Sequence, residues 1–255
     1  MKSGKDLQVS LIVPTLNELE GIKWFMSRLK KEWYDELIII DAGSTDGTLE
    51  FCRQNGFPVH VQSGPGLTAA LVDALKLSTK DIVITLSPDG NSIPEMIPDL
   101  VAKMREGYDM TVVSRYLGAA KSEDDDLFTG LGNMIFTKLV NFLYGARYTD
   151  VLVIFRAYRR EAMFLMGLDR QAEESWLRKR FYLLNSWELG SCARAAKLGL
   201  KVSEIPGDEP KRLGGNRKLS VIKHGTAALV QVLYEFAIGK RFLRAQEVRK
   251  EKAAA

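Results

Sequence analysis

The chain has 255 residues, 46% hydrophobic and 27% charged, which is enough to bury the core of one large α/β domain and too apolar for a disordered chain. A net charge of +4 does not by itself point to nucleic acid, and the excess is local: residues 211–255 hold eleven Lys/Arg against three Glu, leaving the rest slightly acidic. Cys52 and Cys192 stand alone without C-x-x-C spacing, which argues against a disulfide scaffold or zinc site and fits a reducing compartment, while the polar start and the lack of about 20 consecutive apolar residues argue against a signal peptide or a spanning helix.

Val9–Pro14 reads as a buried strand, followed by the loop Thr15–Glu18 and helical spacing from Gly21 to Lys31. Glu36–Asp41 is a second strand. It runs into Asp41-Ala-Gly-Ser-Thr-Asp-Gly47 and then a helix whose start carries Thr48 and Glu50, so Asp46 also fits a helix cap. A short strand at Val59–Val61 is followed by the turn Gly64-Pro-Gly66 and a helix over Leu67–Leu77. The fourth strand, Asp81–Leu86, is apolar on both faces and stops at Ser87-Pro-Asp-Gly-Asn91, strong turn chemistry, before a helix over Pro94–Glu106. The fifth strand, Asp109–Ser114, ends in Ser114-Arg-Tyr116.

This strand–loop–helix repetition predicts a doubly wound, mainly parallel sheet with helices on both faces. Polar residues recur at one end of successive strands, which is where ligands bind such sheets. The alternation then breaks down. Lys121–Asp126 is a charged loop, read as solvated surface or as a flap over substrate. Leu127–Tyr144 is amphipathic, Val151–Phe155 reads as an apolar strand ending at Arg156, and Leu177–Lys197 reads as a helix carrying Trp187 and Glu188. A short strand, Val202–Pro206, precedes a glycine-broken basic loop over Lys211–Lys218 and a final helix over Leu219–Phe242 with a wide apolar face. The expected division is a catalytic domain over 1–210 and a basic loop with an amphipathic helix over 211–255.

V-S-L-I-V-P-T-L-N-E (9–18), I-I-I-D-A-G-S-T-D-G-T (38–48), S-P-D-G-N (87–91) and V-S-R-Y (113–116), in this order, resemble the family-two glycosyltransferases of the GT-A, Rossmann-like fold. F-R-A-Y-R-R (155–160), A-A-K-L-G-L-K-V-S-E-I-P (195–206) and the basic G-G-N-R-K-L (214–219) are similar to its polyprenyl-phosphate branch, that of dolichyl-phosphate mannose synthase. The resemblance implies an inverting transfer from a nucleotide-sugar donor and a divalent metal, Mg²⁺ or Mn²⁺. It places donor-binding positions at Pro14, Thr15, Asn17, Glu18, Asp41, Ser44, Asp46 and Gly66. The family's Asp-x-Asp loop has Ser87 in its first place here, leaving Asp89 and Asn91 as metal ligands, with Asp89 catalytic. Mg²⁺ commonly takes only one or two carboxylates and completes its shell with substrate phosphates. Asp89 also fits as a plain turn residue.

An anionic phosphate acceptor needs cationic positioning rather than a base. Arg115, Arg156, Arg212, Arg217 and Lys218 supply the cations, and Arg115 is also the catalytic candidate because it ends a strand. A hydroxyl acceptor would instead need a base, for which Glu188 is the candidate. A third reading is a sugar-nucleotide binder without catalysis. If the acceptor is a polyprenyl phosphate, the segments 127–144 and 219–242 would lie on a membrane surface, with Lys240, Arg241, Arg244 and Arg249 on anionic headgroups; otherwise they are core or dimer helices. The expected location is cytoplasmic, peripheral at the cytoplasmic membrane face, with a homo-oligomer open and no nucleic-acid partner.

Overall fold

The computed structural model describes residues 6–170, 186–213 and 221–243. Seven strands form one sheet: β1 (Val9–Thr15), β2 (Glu36–Asp41), β3 (Val59–Val61), β4 (Ile82–Thr85), β5 (Met110–Ser114), β6 (Arg156–Arg159) and β7 (Val202–Pro206), in the order β3-β2-β1-β4-β6-β5-β7. The register is parallel from β3 to β4, β6 is antiparallel to both its neighbours, and β5 and β7 run parallel. All strands but β6 therefore point their carboxyl ends the same way, as the resemblance implied.

The β-branched runs of β1, β2 and β4 are buried at nearly every position. That pattern means both faces of the sheet are covered. Helix α3 (Leu67–Leu77) packs on β1 and β2, and α4 (Ile97–Arg105) on β5 and β6. Leu11, Ile12, Ile39, Ile84, Leu71 and Leu100 are fully buried. Each such side chain contributes about 1.5–3 kcal/mol relative to exposure.

Two elements differ from the sequence-based expectation. Val151–Phe155 is not a strand; pairing begins at Arg156. The cause is the buried guanidinium of Arg156, which donates to the carbonyls of Val153 (2.6 Å) and Val151 (2.9 Å) and curls the apolar run around itself. Helix α1 (Leu19–Arg28) starts two residues before Gly21, because the Leu19 N–H finds the Asp46 carboxylate at 3.0 Å. Helices α2 (Thr48–Gln54), α5 (Leu127–Tyr144) and α6 (Arg160–Leu165) fall between strands. Helix α7 (Trp187–Leu198) begins at a Ser186 cap; the expected portion over 177–185 lies outside the described residues.

The last helix, α8 (Val221–Ile238), packs against α5 and α7. Its buried Glu235 accepts from Arg194 (2.8 Å) and Lys197 (2.7 Å) of α7. These pairs fix α8 against α7.

Helix α1 touches the loop after β4 so closely that Gly21 has no room for a side chain: a Cβ there would lie 2.6 Å from the Pro88 carbonyl oxygen and 2.9 Å from Asp89 Cα. Gly21→Ala is therefore expected to lower the unfolding free energy by about 1–3 kcal/mol. Urea denaturation checks this; an unchanged midpoint would mean that residues 87–89 move aside freely.

Candidate active site

The carboxyl ends of β1, β2, β4, β5 and β7 converge, and their loops carry most of the polar residues singled out from sequence. The first two loops are laced together. Asn17, in the left-handed region at φ 53°, accepts the Thr45 N–H at 2.8 Å through Oδ1, and its own N–H donates to Ser44 Oγ at 2.8 Å. Asparagine tolerates that backbone region better than most residues. Asp46 accepts from Thr48 N–H (3.0 Å) and Thr48 Oγ (2.6 Å) and bridges to α1 through Leu19. Burial opposes its ionisation, but the hydrogen bonds from Thr48 and Leu19 outweigh it and hold its carboxyl below the ordinary range. Asp46 is the N-cap of neither helix, those places being Glu18 and Gly47, but its carboxylate accepts the first backbone N–H of both α1 and α2.

Asp41 is fully buried, with Oδ1 accepting the N–H groups of Gly43 (2.9 Å) and Ser44 (2.8 Å) and Oδ2 accepting the hydroxyls of Thr15 (2.8 Å) and Ser44 (2.6 Å). A carboxylate offers about four lone-pair sites. All are used internally, so Asp41, Thr15 and Ser44 together fix the shape of the loop. Pro14 and Glu18 are half-buried beside it, and Gly66 is exposed at the start of α3 with φ 91°.

The loop after β4 carries Asp89, 6% exposed. Its Oδ1 accepts the Asn91 N–H at 3.3 Å and its Oδ2 faces Arg212 Nη1 at 3.7 Å; neither contact is short. Burial pushes its carboxyl above the usual aspartate range, against the pull of Arg212, the Asn91 amide and Ser87. Asn91 reaches Glu209 Oε1 through Nδ2 at 3.5 Å. No cluster of three His, Cys, Asp or Glu fit to hold a metal exists among the described residues. Asp89 and Asn91 therefore fit a cation only as a two-ligand site completed by ligand oxygens, a shell within the habits of Mg²⁺.

Leu213 closes over this loop. Its N–H donates to the Asp89 carbonyl at 2.8 Å, and its side chain occupies the space beside Gly90 where a Cβ would come within 2.5 Å. Gly90 at φ 92° is thus required twice, by backbone conformation and by contact.

Arg115 arrives at the site but is not an open cation. Its Nε and Nη2 form a bidentate pair with Asp150 (2.6 and 3.0 Å), and Nη1 contacts Glu209 (3.1 Å) and Asp125 (3.3 Å). Glu204 of β7 accepts the backbone N–H groups of Thr149 and Asp150, fixing the segment that presents Asp150. Arg115 therefore ties β5 to the acidic loop 121–126 and to the segment after β7, rather than waiting for a phosphate.

Arg156 is likewise corrected. It is fully buried and donates to Val151, Val153, the Glu188 carbonyl, Ser191 and Cys192. Glu188 sits in the same interior, accepting from Ser186 Oγ at 2.7 Å, out of place for a base. Arg217 and Lys218 lie outside the described residues. Asp150 and Glu209 escaped the sequence reading: they lie outside regular elements and outside the motifs, and only Pro206-Gly-Asp-Glu-Pro210, a turn-rich stretch after a strand, marked the place of Glu209; Asp124 was covered only as part of the charged loop Lys121–Asp126.

The sequence profile described as Glycosyl transferase family 2 matches residues 10–164. Glycosyltransferase AglJ of Haloferax volcanii is 28% identical over 219 residues, 85% of this chain and 68% of the relative. Undecaprenyl-phosphate 4-deoxy-4-formamido-L-arabinose transferase of Salmonella choleraesuis is 29% identical over 167 residues, 60% of this chain and 49% of the relative. Dolichol-phosphate mannosyltransferase of Pyrococcus furiosus is 29% identical over 126 residues, 46% of this chain and 36% of the relative. This chain thus spans half or less of those last two proteins. Among solved structures, glucosyl-3-phosphoglycerate synthase of Mycobacterium tuberculosis with Mn²⁺, UDP-glucose and phosphoglyceric acid superposes with TM-score 0.63 at 22% identity, covering 92% of this chain and 81% of that one. That likeness shows the shared fold.

Removing one partner of a buried ion pair strands the other, at about 3–5 kcal/mol. Asp150→Ala is expected to destabilise the chain by that order, whereas Lys103→Ala, which removes an exposed pair with Glu106, is expected to leave the unfolding midpoint nearly unchanged. Chemical denaturation of the two variants side by side checks the contrast, and equal effects would refute a supporting role for the Arg115 cluster.

Proposed function

The chain belongs to glycosyl transferase family 2, and from that premise we propose that it transfers a sugar, with inversion, from a nucleotide-sugar donor to the phosphate of a polyprenyl lipid. The observation that carries the acceptor class is the outward surface of α5. Leu127 (82%), Phe128 (70%) and Phe142 (85%) stand in solvent together with Leu131, Met134 and Ile135, all on one helical face. Its buried positions are Asn133, Thr137 and Val140, and the side-chain oxygens of Asn133 and Thr137 have no hydrogen-bond partner. A water-facing helix normally shows the opposite arrangement.

Helix α8 continues the surface with exposed Leu229, Leu233 and Phe236, and Phe236 meets Tyr144 of α5 at a ring separation of 6.3 Å. No acidic residue occurs from Leu127 to Arg147, and the one in α8, Glu235, is buried. Lys138, Arg147, Lys240 and Arg241 are exposed around the patch. A bilayer with anionic headgroups matches that chemistry. A twofold contact with a second copy matches it less well, because Lys138 lies within the stripe and would meet its own like charge. Among the described residues no helix is long and apolar enough to cross a membrane.

In the proposed reaction an acceptor phosphate oxygen attacks the anomeric carbon. The bond from that carbon to the donor diphosphate breaks, and the nucleoside diphosphate leaves with the electron pair. An ionised phosphate has no proton to lose, so the interior position of Glu188 is no obstacle. A divalent ion, when bound, would offset the charge gathering on the leaving diphosphate. Asp89 and Asn91 would hold it. The loops at 15–19 and 41–48 would frame the donor by backbone shape, and the basic stretch from Lys211 through Arg217 and Lys218 would attract the acceptor phosphate.

A soluble phosphorylated acceptor is the second reading, favoured by the phosphoglyceric acid found with the structural relative. Turnover measured with polyprenyl phosphate and with phosphoglyceric acid separates the two; preference for the soluble acid overturns the lipid reading. Asp89→Asn and chelation by EDTA are each expected to lower turnover by at least about 100-fold, since metal stabilisation of a leaving group is worth several kcal/mol. The double variant Phe128→Asp/Phe142→Asp is expected to lose activity on long-chain acceptor in phosphatidylglycerol vesicles while keeping it on a short, water-soluble polyprenyl phosphate. Loss on both substrates, or on neither, would count against membrane docking.

A further inference from the structure

The segment after β7 is clamped from two sides. Towards the acidic loop, the Lys121 N–H donates to Asp208 Oδ1 at 2.9 Å, the Glu123 N–H to the Glu209 carbonyl at 2.8 Å and the Glu209 N–H to the Lys121 carbonyl at 2.9 Å, and Ser122 Oγ donates to the Glu209 carboxylate. Towards the β4 loop, Leu213 sits on Gly90 and its N–H holds the Asp89 carbonyl. Arg212 lies between the two clamps. Its Nε and Nη2 grip Asp124 at 3.1 and 2.6 Å, and its Nη1 is 3.7 Å from Asp89 Oδ2.

We infer that Arg212 is a built-in competitor of the divalent cation at Asp89, held ready by Asp124. The inference rests on the reading of Asp89 as a cation ligand. A bound Mg²⁺ sits about 2.0–2.1 Å from its oxygen ligands. An ion on Oδ2 would then lie within a few ångströms of the guanidinium, with the Asp89 carboxylate as the charge they share. The two cations exclude each other at that oxygen. Asp124 gives Arg212 a second partner, gripped more closely than Asp89, so Arg212 can leave Asp89 without losing its ion pair. The chain thereby keeps its single loop carboxylate neutralised until a cation arrives, and it lowers the affinity for a cation arriving alone. Each partner of Arg212 has an assigned sign: Arg212 opposes the cation, and Asp124 helps the cation by drawing Arg212 away.

The test is Mn²⁺ binding to the full-length chain without donor, followed by the paramagnetic resonance signal of free Mn²⁺. Arg212→Gln is expected to bind Mn²⁺ at least tenfold more tightly than the unmodified chain. Asp124→Asn is expected to bind it severalfold more weakly, because Arg212 then loses its closest partner and turns to Asp89. In the double variant the Asp124→Asn effect is expected to vanish, leaving the affinity of Arg212→Gln within about twofold, the coupling expected of groups that act through one contact. A mere field effect of the Asp124 charge would persist undiminished in the double variant, and that result overturns the inference, as does unchanged or weaker binding in Arg212→Gln. Should Arg212→Gln fail to fold by thermal unfolding, Asp124→Asn still decides: binding equal to or tighter than the unmodified chain overturns it. Asp89→Asn serves as the separate control. If it binds Mn²⁺ as the unmodified chain does, the metal reading itself fails, whatever Arg212 does.

Discussion

The buried guanidinium of Arg115 and the three carboxylates around it hold the site together. Asp150 comes from the irregular segment before β6, Asp125 from the acidic loop before α5, and Glu209 from the segment after β7. These stretches are far apart in sequence, and the sheet brings them to one edge because β5, β6 and β7 are neighbours there. Three acids around one base carry surplus negative charge. Burial raises the Glu209 carboxyl above its usual range, while Arg115 and the Ser122 hydroxyl pull it down. Burying this much charge is costly unless each member is paired. The pairing in turn dictates where the loops go, and Glu209 passes the constraint on to Asn91 and so to the loop carrying Asp89.

The same edge unites two kinds of surface. Helix α5 starts directly after the acidic loop, capped by Asp126 and Thr129 in a reciprocal box, and ends at Gly145 in the left-handed conformation. Between those caps its outer face is apolar. A face of this kind is unfavourable in water and favourable against lipid, so the loop that contacts the Arg115 cluster and the helix that would meet a bilayer are consecutive in the chain.

Legibility from sequence divides along a physical line. The parallel strands, their order along the chain and the loops at their ends were readable because β-branched apolar runs and Pro-Asp-Gly turns act locally. The turn at residues 87–91 was readable too, as was the place of Asp46 beside a helix start. Asp41 was visible in sequence as an acidic strand end, whereas its four internal donors, which come from β1 and its own loop folded back, were not. Arg156 failed for the same kind of reason. A charged residue after an apolar run suggests a strand end facing ligand, but the run bends to give its carbonyls to the guanidinium. Asp150 carried no local signal, and for Asp124 and Glu209 the charged loop and the turn-rich stretch marked a place but no partner.

By itself the sequence determined the architecture, the family and the place of Asp89, since periodicity and turn chemistry are properties of neighbouring residues. Only the tertiary structure decided which charges are free and which are spent. Arg115, Arg156 and Asp41 are spent on partners that lie two to ninety-four positions away, and Arg212 divides itself between Asp89 and Asp124. A charge is neutralised by whatever stands within a few ångströms, and that neighbour is set by the packing of the sheet and its loops rather than by position along the chain.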